Sequence, residues 1–397
     1  MTDIEYLQNY DGPELRIMEV CGTHTAAIFK NGIRRLISPG IRLVSGPGCP
    51  VCVTVPSYID DCIRISLLPG HELVCFGDLL KIPGAGRTLS DAKGAGGRVR
   101  MVWSPFDAVS LAQSTPETTF VFAAIGFETT APAFGLIIEE AEARGIRNLR
   151  LLTSLKSAVA AVEWICAAGE AIDAFLCPGH VSVVTGADAW APLAEKYGKP
   201  FVVAGFEGEH LLAAIRVAAE AAAEGRGREL HPEAVAEAEN TTVGRGRNLH
   251  PEAVATKGNQ PGIVRNLYPE AVTAEGNWRA LAVIDRYFDT GEAEWRGLGT
   301  VAGSGYYLKQ EFSSYEAPGS GRPLRRDFPQ RGESPSKGAD PGDDSLPEGC
   351  RCGDVILGRI DPDACPLFGT ACTPLHAVGP CMVSSEGACG VWFRGRQ

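Results

Sequence analysis

The chain has 397 residues, of which 45% are hydrophobic and 21% charged, with a formal net charge of −11 at pH 7. That length accommodates two or three domains with cores of their own, and the acidic balance excludes a nucleic-acid surface, which needs clustered Lys and Arg. No apolar run approaches the roughly 18 residues of a membrane span, and the polar, acidic start Met1-Thr-Asp-Ile-Glu-Tyr6 is unlike a signal peptide, so a cytoplasmic protein without membrane contact is expected.

From Leu15 to Glu207 one arrangement recurs: a short apolar run, a loop bearing Gly or Pro, then a helical stretch. The runs are Leu15 to Val20, Ile41 to Ser45, Leu73 to Phe76, Val99 to Trp103, Phe120 to Ile125, Leu149 to Thr153, Ala174 to Cys177 and Phe201 to Ala204. Continuous apolar runs alternating with helices predict parallel strands buried on both faces, hence an α/β architecture. Ligands of such folds gather outside the carboxyl ends of the strands.

The loops after these runs carry the unusual residues. Cys21-Gly-Thr-His-Thr25 opens a helical stretch, where the helix dipole favours a thiolate at Cys21; His24 reads as a second ligand, a proton carrier or simply a residue of the first turn. The next loop, Ser45-Gly-Pro-Gly-Cys-Pro-Val-Cys-Val-Thr-Val-Pro56, cannot be regular structure, and its Cys49 and Cys52 form a redox dithiol, half of a thiolate metal site, or two neighbouring buried thiols. Three thiols on consecutive strand ends are a soft donor set suited to iron or zinc. Cys62 and Cys75 read as core, Asp78 as functional or a helix cap, and Gly84 to Gly97 as a surface loop without a phosphate-binding Gly-Lys-Ser/Thr signature.

Later strand ends carry Gly126-Phe-Glu-Thr-Thr130, Pro178-Gly-His-Val-Ser182 and Gly205-Phe-Glu-Gly208. Helix capping alone would explain Glu128, but the three turns together predict a binding face that includes Glu128, His180 and Glu207. An Ala-rich helix follows from Leu211 to Glu224. Then Leu230-His-Pro-Glu-Ala-Val235, Leu249-His-Pro-Glu-Ala-Val254 and Leu267-Tyr-Pro-Glu-Ala-Val272 repeat at spacings of 19 and 18 residues. These units are too short and polar for a solenoid; they read as a duplicated surface excursion, with His231 and His250 on the surface, before a helix from Trp278 to Phe288 returns to the core.

The chain carries 13 cysteines, many for a compartment where thiols serve metals or chemistry and not disulfides. Beyond the early group and the central Cys166 and Cys177, six crowd into 350–397: Cys350, Cys352, Cys365, Cys372, Cys381 and Cys389. So small a module needs a staple, and the long spacings between Cys350, Cys365, Cys372 and Cys389 lean toward an iron–sulfur cluster, with zinc as the alternative. The chain therefore divides into a first α/β lobe at 1–115, a second at 116–222, a repeat-bearing insertion at 223–275, a helical return at 276–316, a flexible linker at 317–347 and a cysteine-rich module at 348–397.

Cys21-Gly-Thr-His-Thr25, Gly46-Pro-Gly-Cys-Pro-Val-Cys52, Gly126-Phe-Glu-Thr-Thr130, Pro178-Gly-His-Val-Ser182, Gly205-Phe-Glu207 and the tail Cys365-Pro-Leu-Phe-Gly to Val378-Gly-Pro-Cys-Met-Val-Ser-Ser-Glu-Gly-Ala-Cys389 resemble, in order, the HypD family of hydrogenase maturation factors. The resemblance implies two Rossmann-like, parallel-sheet lobes facing a cleft, with a small iron–sulfur module at the C-terminus. It implies a scaffold more than a turnover enzyme, working with a small HypC-type chaperone and a HypE-type cyanide donor to assemble the Fe(CN)2CO unit destined for the hydrogenase large subunit. Carried over, Cys21, Cys49 and Cys52 hold or redox-service the iron, with His24, Glu128, His180 and Glu207 in the active region. Cys350, Cys365, Cys372 and Cys389 hold a 4Fe-4S cluster, for which Cys352 and Cys381 are substitutes. The competing readings are a stand-alone dithiol or iron–sulfur oxidoreductase and a zinc-stabilised binding protein.

Overall fold

The computed structural model describes residues 1–230, 263–317 and 346–396. The first two copies of the repeat, with His231 and His250, and most of the expected linker lie outside the described residues. Among those residues the strands are β1 (Leu15–Glu19), β2 (Ile41–Ser45), β3 (His71–Cys75), β4 (Val99–Met101), β5 (Thr119–Gly126), β6 (Leu149–Lys156), β7 (Ala174–Pro178), β8 (Phe201–Ala204), β9 (Val264–Asn266), β10 (Phe288–Trp295) and β11 (Gly299–Leu308). They form two mainly parallel sheets with helices between the strands, an α/β architecture. Two compact units result: Met1–Gly46 with Ile165–Asn277, and Pro47–Trp164 with Trp278–Gln397.

The first unit holds a five-stranded parallel sheet in the order β2-β1-β7-β8-β9. Its central strands β7 and β8 are apolar and buried at every position, while β1, β2 and β9 also carry polar residues such as Arg16, Arg42 and Asn266. On the helix Gly208–Leu230 the buried residues Leu211, Ala214, Ile215, Ala218, Ala219 and Ala222 fall at helical spacing and pack on Leu43, Leu176 and Val202. Each buried Leu or Ile contributes about 1.5–3 kcal/mol, and the alanines let the helix lie close to the sheet. The third repeat copy is built into this unit. β9 pairs with β8, Leu267 packs against the core, and Val272 is buried, with its carbonyl accepting from Asn266 Nδ2 at 2.7 Å. The surface excursion expected for the repeats therefore does not extend to this copy, whose Leu and Val supply core contacts.

The second unit holds a six-stranded sheet in the order β10-β11-β6-β5-β3-β4. β3 to β6 pair in parallel, while β10 and β11 form an antiparallel hairpin whose second strand joins β6 through Gly305 and Lys156. The helix Trp278–Tyr287 leads into the hairpin, as its amphipathic pattern predicts. Gly84 to Gly97 is not simply a loop: it contains the helix Leu89–Gly94, started by a capping box between Thr88 and Asp91 and anchored by buried Leu89 and Ala92. The segment 346–396 has short helices, Cys352–Ile356 and Ala388–Gly395, linked by turns. It is tied to its unit where Ser384 Oγ donates to Asp78 Oδ2 at 3.0 Å. Among the described residues no helix is long and apolar enough to cross a membrane.

Candidate metal centre

In the first unit, parallel pairing brings the ends of β1, β7 and β8 side by side, and four of the expected site residues, Cys21, His24, His180 and Glu207, lie there. Cys21 is the N-cap residue of the helix Gly22–Lys30 and is buried; its carbonyl accepts from Thr25 N at 3.1 Å. His24, in the first turn, is fully buried. Its Nε2 lies 3.2 Å from the Ala204 carbonyl, which can only accept, so Nε2 carries the proton and Nδ1 is left as a buried acceptor with no partner among the described residues. Burial is the main reason that its pKa falls to about 4, further lowered by His180 and partly offset by backbone hydrogen bonds.

Phe206 organises this end of the sheet. Its ring stacks on His180 at 4.0 Å, lies 5.0 Å from His24 and meets Tyr268 edge-on at 6.2 Å. His180 and Glu207 are exposed, so both are open to solvent or a ligand. Phe206, Tyr268 and His210, whose buried Nδ1 also lacks a partner among the described residues, complete a group that sequence reasoning missed. The signal lay in the neighbouring motifs: two residues that each follow a strand end meet whenever their strands pair, and β7 pairs with β8 from Phe175↔Phe201 to Pro178↔Ala204.

In the second unit the proline- and glycine-rich loop folds into tight turns. Cys52 N donates to the Cys49 carbonyl at 3.1 Å, and Thr54 Oγ1 to the Pro50 carbonyl at 2.9 Å. Both cysteines are buried. Cys52 Sγ lies 3.9 Å from the Pro380 carbonyl, so the loop sits directly on the cysteine-rich segment. Burial pushes the Cys52 thiol well up, and the hydrogen bond with Cys49 and the charges of Cys49, Cys381 and Cys352 push it further.

The six C-terminal cysteines form one sulfur-rich patch. Cys381 Sγ is 3.1 Å from Cys389 Sγ, and the Val378 N–H donates to Cys372 Sγ at 3.3 Å. Cys350 is pushed up to about 12, mainly by burial and then by Cys352; Cys352 is pushed up first by its hydrogen bond with Cys381. Burial and mutual contact hold these thiols protonated, and a metal would have to displace their protons to bind here. Gly379 permits the packing: a Cβ there would stand 2.8 Å from Cys350 Sγ. Among the described residues no three His, Cys, Asp or Glu side chains converge as they would around one ion. A four-iron cluster is gripped at its corners by thiolates standing farther apart, and soft, sulfur-only donors fit such a group. Among the described residues no cysteine is in a disulfide.

Glu128 lies apart from the sulfur groups. Its Oε1 accepts from Ser157 Oγ at 2.7 Å and its Oε2 from Ala158 N at 3.1 Å, at the start of the helix Ala158–Ala167. Burial raises its pKa, against the pull of these bonds. The carboxylate supplies the acceptor that the helix N-terminus requires.

These features define an α/β protein with thiols at strand ends and a second set of thiols in a C-terminal segment packed on one of them. A family model described as HypD, hydrogenase formation hypA family, matches residues 1–244 and 252–396. A hydrogenase maturation factor HypD of Escherichia coli K12 is 35% identical over 396 residues, covering 96% of this chain and 90% of the relative. Those named hydrogenase maturation factor HypD in Azotobacter vinelandii and Rhodobacter capsulatus are 37% identical over 393 residues and 35% over 387, covering 97% and 96% of this chain and 90% and 89% of theirs. The chain belongs to the HypD family.

Proposed function

We propose that this protein, a hydrogenase maturation factor by family, is the scaffold on which the Fe(CN)2CO unit of a nickel–iron hydrogenase is assembled. The contact of Cys52 with Pro380, within the patch that holds Cys352, Cys381 and Cys389, is the observation that most supports the reading. A dithiol loop seated on a second sulfur site is arranged for electron exchange. Oxidation of Cys49 and Cys52 to a disulfide releases two electrons and two protons, and the reverse step consumes them.

In this reading Cys21, Cys49 and Cys52 hold the substrate iron or service it by redox chemistry. The thiolates retain it against dissociation and make it electron-rich enough for cyanide and carbonyl ligands. β1, β7 and β8 present His24, His180 and Glu207 at one end of their sheet. His24, neutral and fixed by Ala204, offers Nδ1 as an acceptor; His180 and Glu207 orient the diatomic ligands or meet a partner. Glu128 acts indirectly, by holding the Ser157 turn. Cys350, Cys365, Cys372 and Cys389 hold a 4Fe-4S cluster, with Cys352 and Cys381 beside it. When bound, that cluster would supply electrons one at a time to the Cys49–Cys52 disulfide, two of them with two protons restoring the dithiol. The partners are a small HypC-type chaperone and a HypE-type cyanide donor, and the setting is cytoplasmic.

The test is infrared spectroscopy of protein purified anaerobically with its small partner, together with iron and zinc analysis. Cyanide and carbonyl stretches that vanish in Cys21→Ala, with about four further irons retained per chain, are the expected result. Iron-free protein without such bands would discard assembly in favour of a zinc-stabilised binding protein or a stand-alone dithiol.

A further inference from the structure

Arg296 is a buried cation set between the two cysteine segments of the second unit. It is only 2% exposed and follows Trp295, the last residue of β10. Its backbone N–H donates to the carbonyl of Val53, next to Cys52, at 3.0 Å. Its guanidinium donates from Nη1 to the Pro83 carbonyl at 3.1 Å. The following residue, Gly297, has φ +85 and packs backbone to backbone on Gly353, the neighbour of Cys352: a Cβ on Gly353 would stand 2.6 Å from the Gly297 carbonyl oxygen. One tripeptide thus touches the Cys49–Cys52 loop on one side and the start of the cysteine-rich segment on the other.

Taking a guanidinium out of water costs several kcal/mol unless negative charge offsets it. The thiols that Arg296 flanks through these chain contacts are Cys52, next to Val53, and Cys352, next to Gly353, and they become anionic when they bind a metal. A group of thiolates around a metal or cluster carries net negative charge, and adding an electron increases it. A fixed cation beside it stabilises the loaded state over the empty one, and the reduced state over the oxidised one.

We propose that Arg296 is a positioning residue of the sulfur centre, its main chain setting the Cys49–Cys52 loop on the C-terminal segment and its guanidinium offsetting the charge of the metal-bound thiolates. The inference rests on reading those cysteines as a metal centre. It extends that reading to a residue outside every cysteine motif.

The test compares the full chain with Arg296→Met and Arg296→Lys after anaerobic reconstitution with ferrous iron and sulfide. Arg296→Met is expected to lose iron to a chelator several-fold faster and to show a more negative midpoint potential, while Arg296→Lys keeps a potential near that of the parent. Unchanged iron loss and potential in Arg296→Met would overturn the proposal, as would an Arg296→Lys potential displaced as far as that of Arg296→Met. If the parent chain takes up no cluster, the iron–sulfur reading itself fails, and Arg296 is judged by cadmium titration of the metal-free chain, followed by thiolate-to-metal absorbance. About ten-fold weaker binding in Arg296→Met is then expected, and equal binding refutes the role. Should Arg296→Met not fold, Arg296→Lys decides: iron loss and potential matching the parent uphold the charge role, and a potential displaced to more negative values overturns it.

Discussion

The ring of Phe206 stacks on the imidazole of His180 with centroids 4.0 Å apart and an interplanar angle of 23°. Phe206 follows β8 and His180 follows β7, so the contact follows from the parallel pairing of these strands. Phe206→Ala removes the surface shared by His180, His24 and Tyr268. A ring pair of this kind is worth about 0.5–1.5 kcal/mol beyond its buried area, so the variant should lose roughly 1–3 kcal/mol in urea unfolding. Phe206→Tyr, which keeps the ring, should lose less than half of that. The His180 imidazole proton resonances should move in the first variant and hold in the second, and an unmoved spectrum in Phe206→Ala would show that the stack is absent in solution.

His24 makes stability depend on pH. Its folded pKa, about 4, lies below the ordinary 6.5, so between those values the unfolded chain binds a proton that the folded chain does not. Stability contributed by His24 is therefore full above pH 6.5 and lost as the pH falls toward 4, to a total of roughly 3 kcal/mol. Urea unfolding at pH 7.5 and pH 5 should show the parent losing about 2 kcal/mol more than His24→Gln over that interval. Equal losses would mean that His24 is protonated in the folded protein.

The eight apolar runs all form strands, because a strand packed under helices is largely apolar and so announces itself in the sequence. β10 and β11 were not legible for the complementary reason. β10 is largely exposed, with burial confined to Phe288, Ala293 and Trp295, and β11 is interrupted by Gly and Ser. Neither offers a continuous run. Cysteine positions could be read because thiols are chemically rare, and Cys62 and Cys75 are fully buried in keeping with a core role. The parts played by Phe206, Tyr268, His210 and Arg296 depend on which distant strands end side by side, and no local pattern carries that information.

Glu128 and Ser157 are predicted to act as one unit. Glu128→Ala leaves the Ser157 hydroxyl and the Ala158 N–H without their acceptor, at a cost of about 1–3 kcal/mol. Ser157→Ala should cost less, because the Ala158 bond survives. In a double-mutant cycle the two losses should fall short of additivity by at least about 0.5 kcal/mol; strict additivity would show that the two side chains do not interact. Because burial raises the Glu128 pKa, the carboxyl takes up its proton in the folded chain before it does in the unfolded one. Its burial therefore favours folding at acid pH and opposes it as the pH rises through the unfolded and then the folded pKa.

Cys52 should react slowly until the chain unfolds. The thiolate is the nucleophile, and burial together with the Cys49 contact holds Cys52 protonated. With reduced, metal-free protein at pH 8, alkylation of Cys52 by iodoacetamide, followed by mass spectrometry of its peptide, should be at least about ten-fold slower than in urea. A folded-state rate equal to the unfolded one would place the loop in solvent, away from Pro380.

Gly379 tests whether the sulfur patch needs its close backbone approach. The residue has φ −96 and ψ 151, a conformation that alanine adopts freely, so Gly379→Ala is resisted only by the sulfur of Cys350, 2.8 Å from the new Cβ. The added methyl must displace that side chain, at a cost of about 1–3 kcal/mol for overpacking. The variant should keep its far-ultraviolet circular dichroism and lose several-fold in iron retained after anaerobic reconstitution. Cys350→Ser should lose iron to a similar extent if Cys350 binds the cluster. If Cys350→Ser loses iron while Gly379→Ala retains it, Cys350 is a ligand with room to move. If neither loses iron, Cys350 leaves the ligand set and Cys352 or Cys381, the C-terminal thiols that act on Cys52, takes its place.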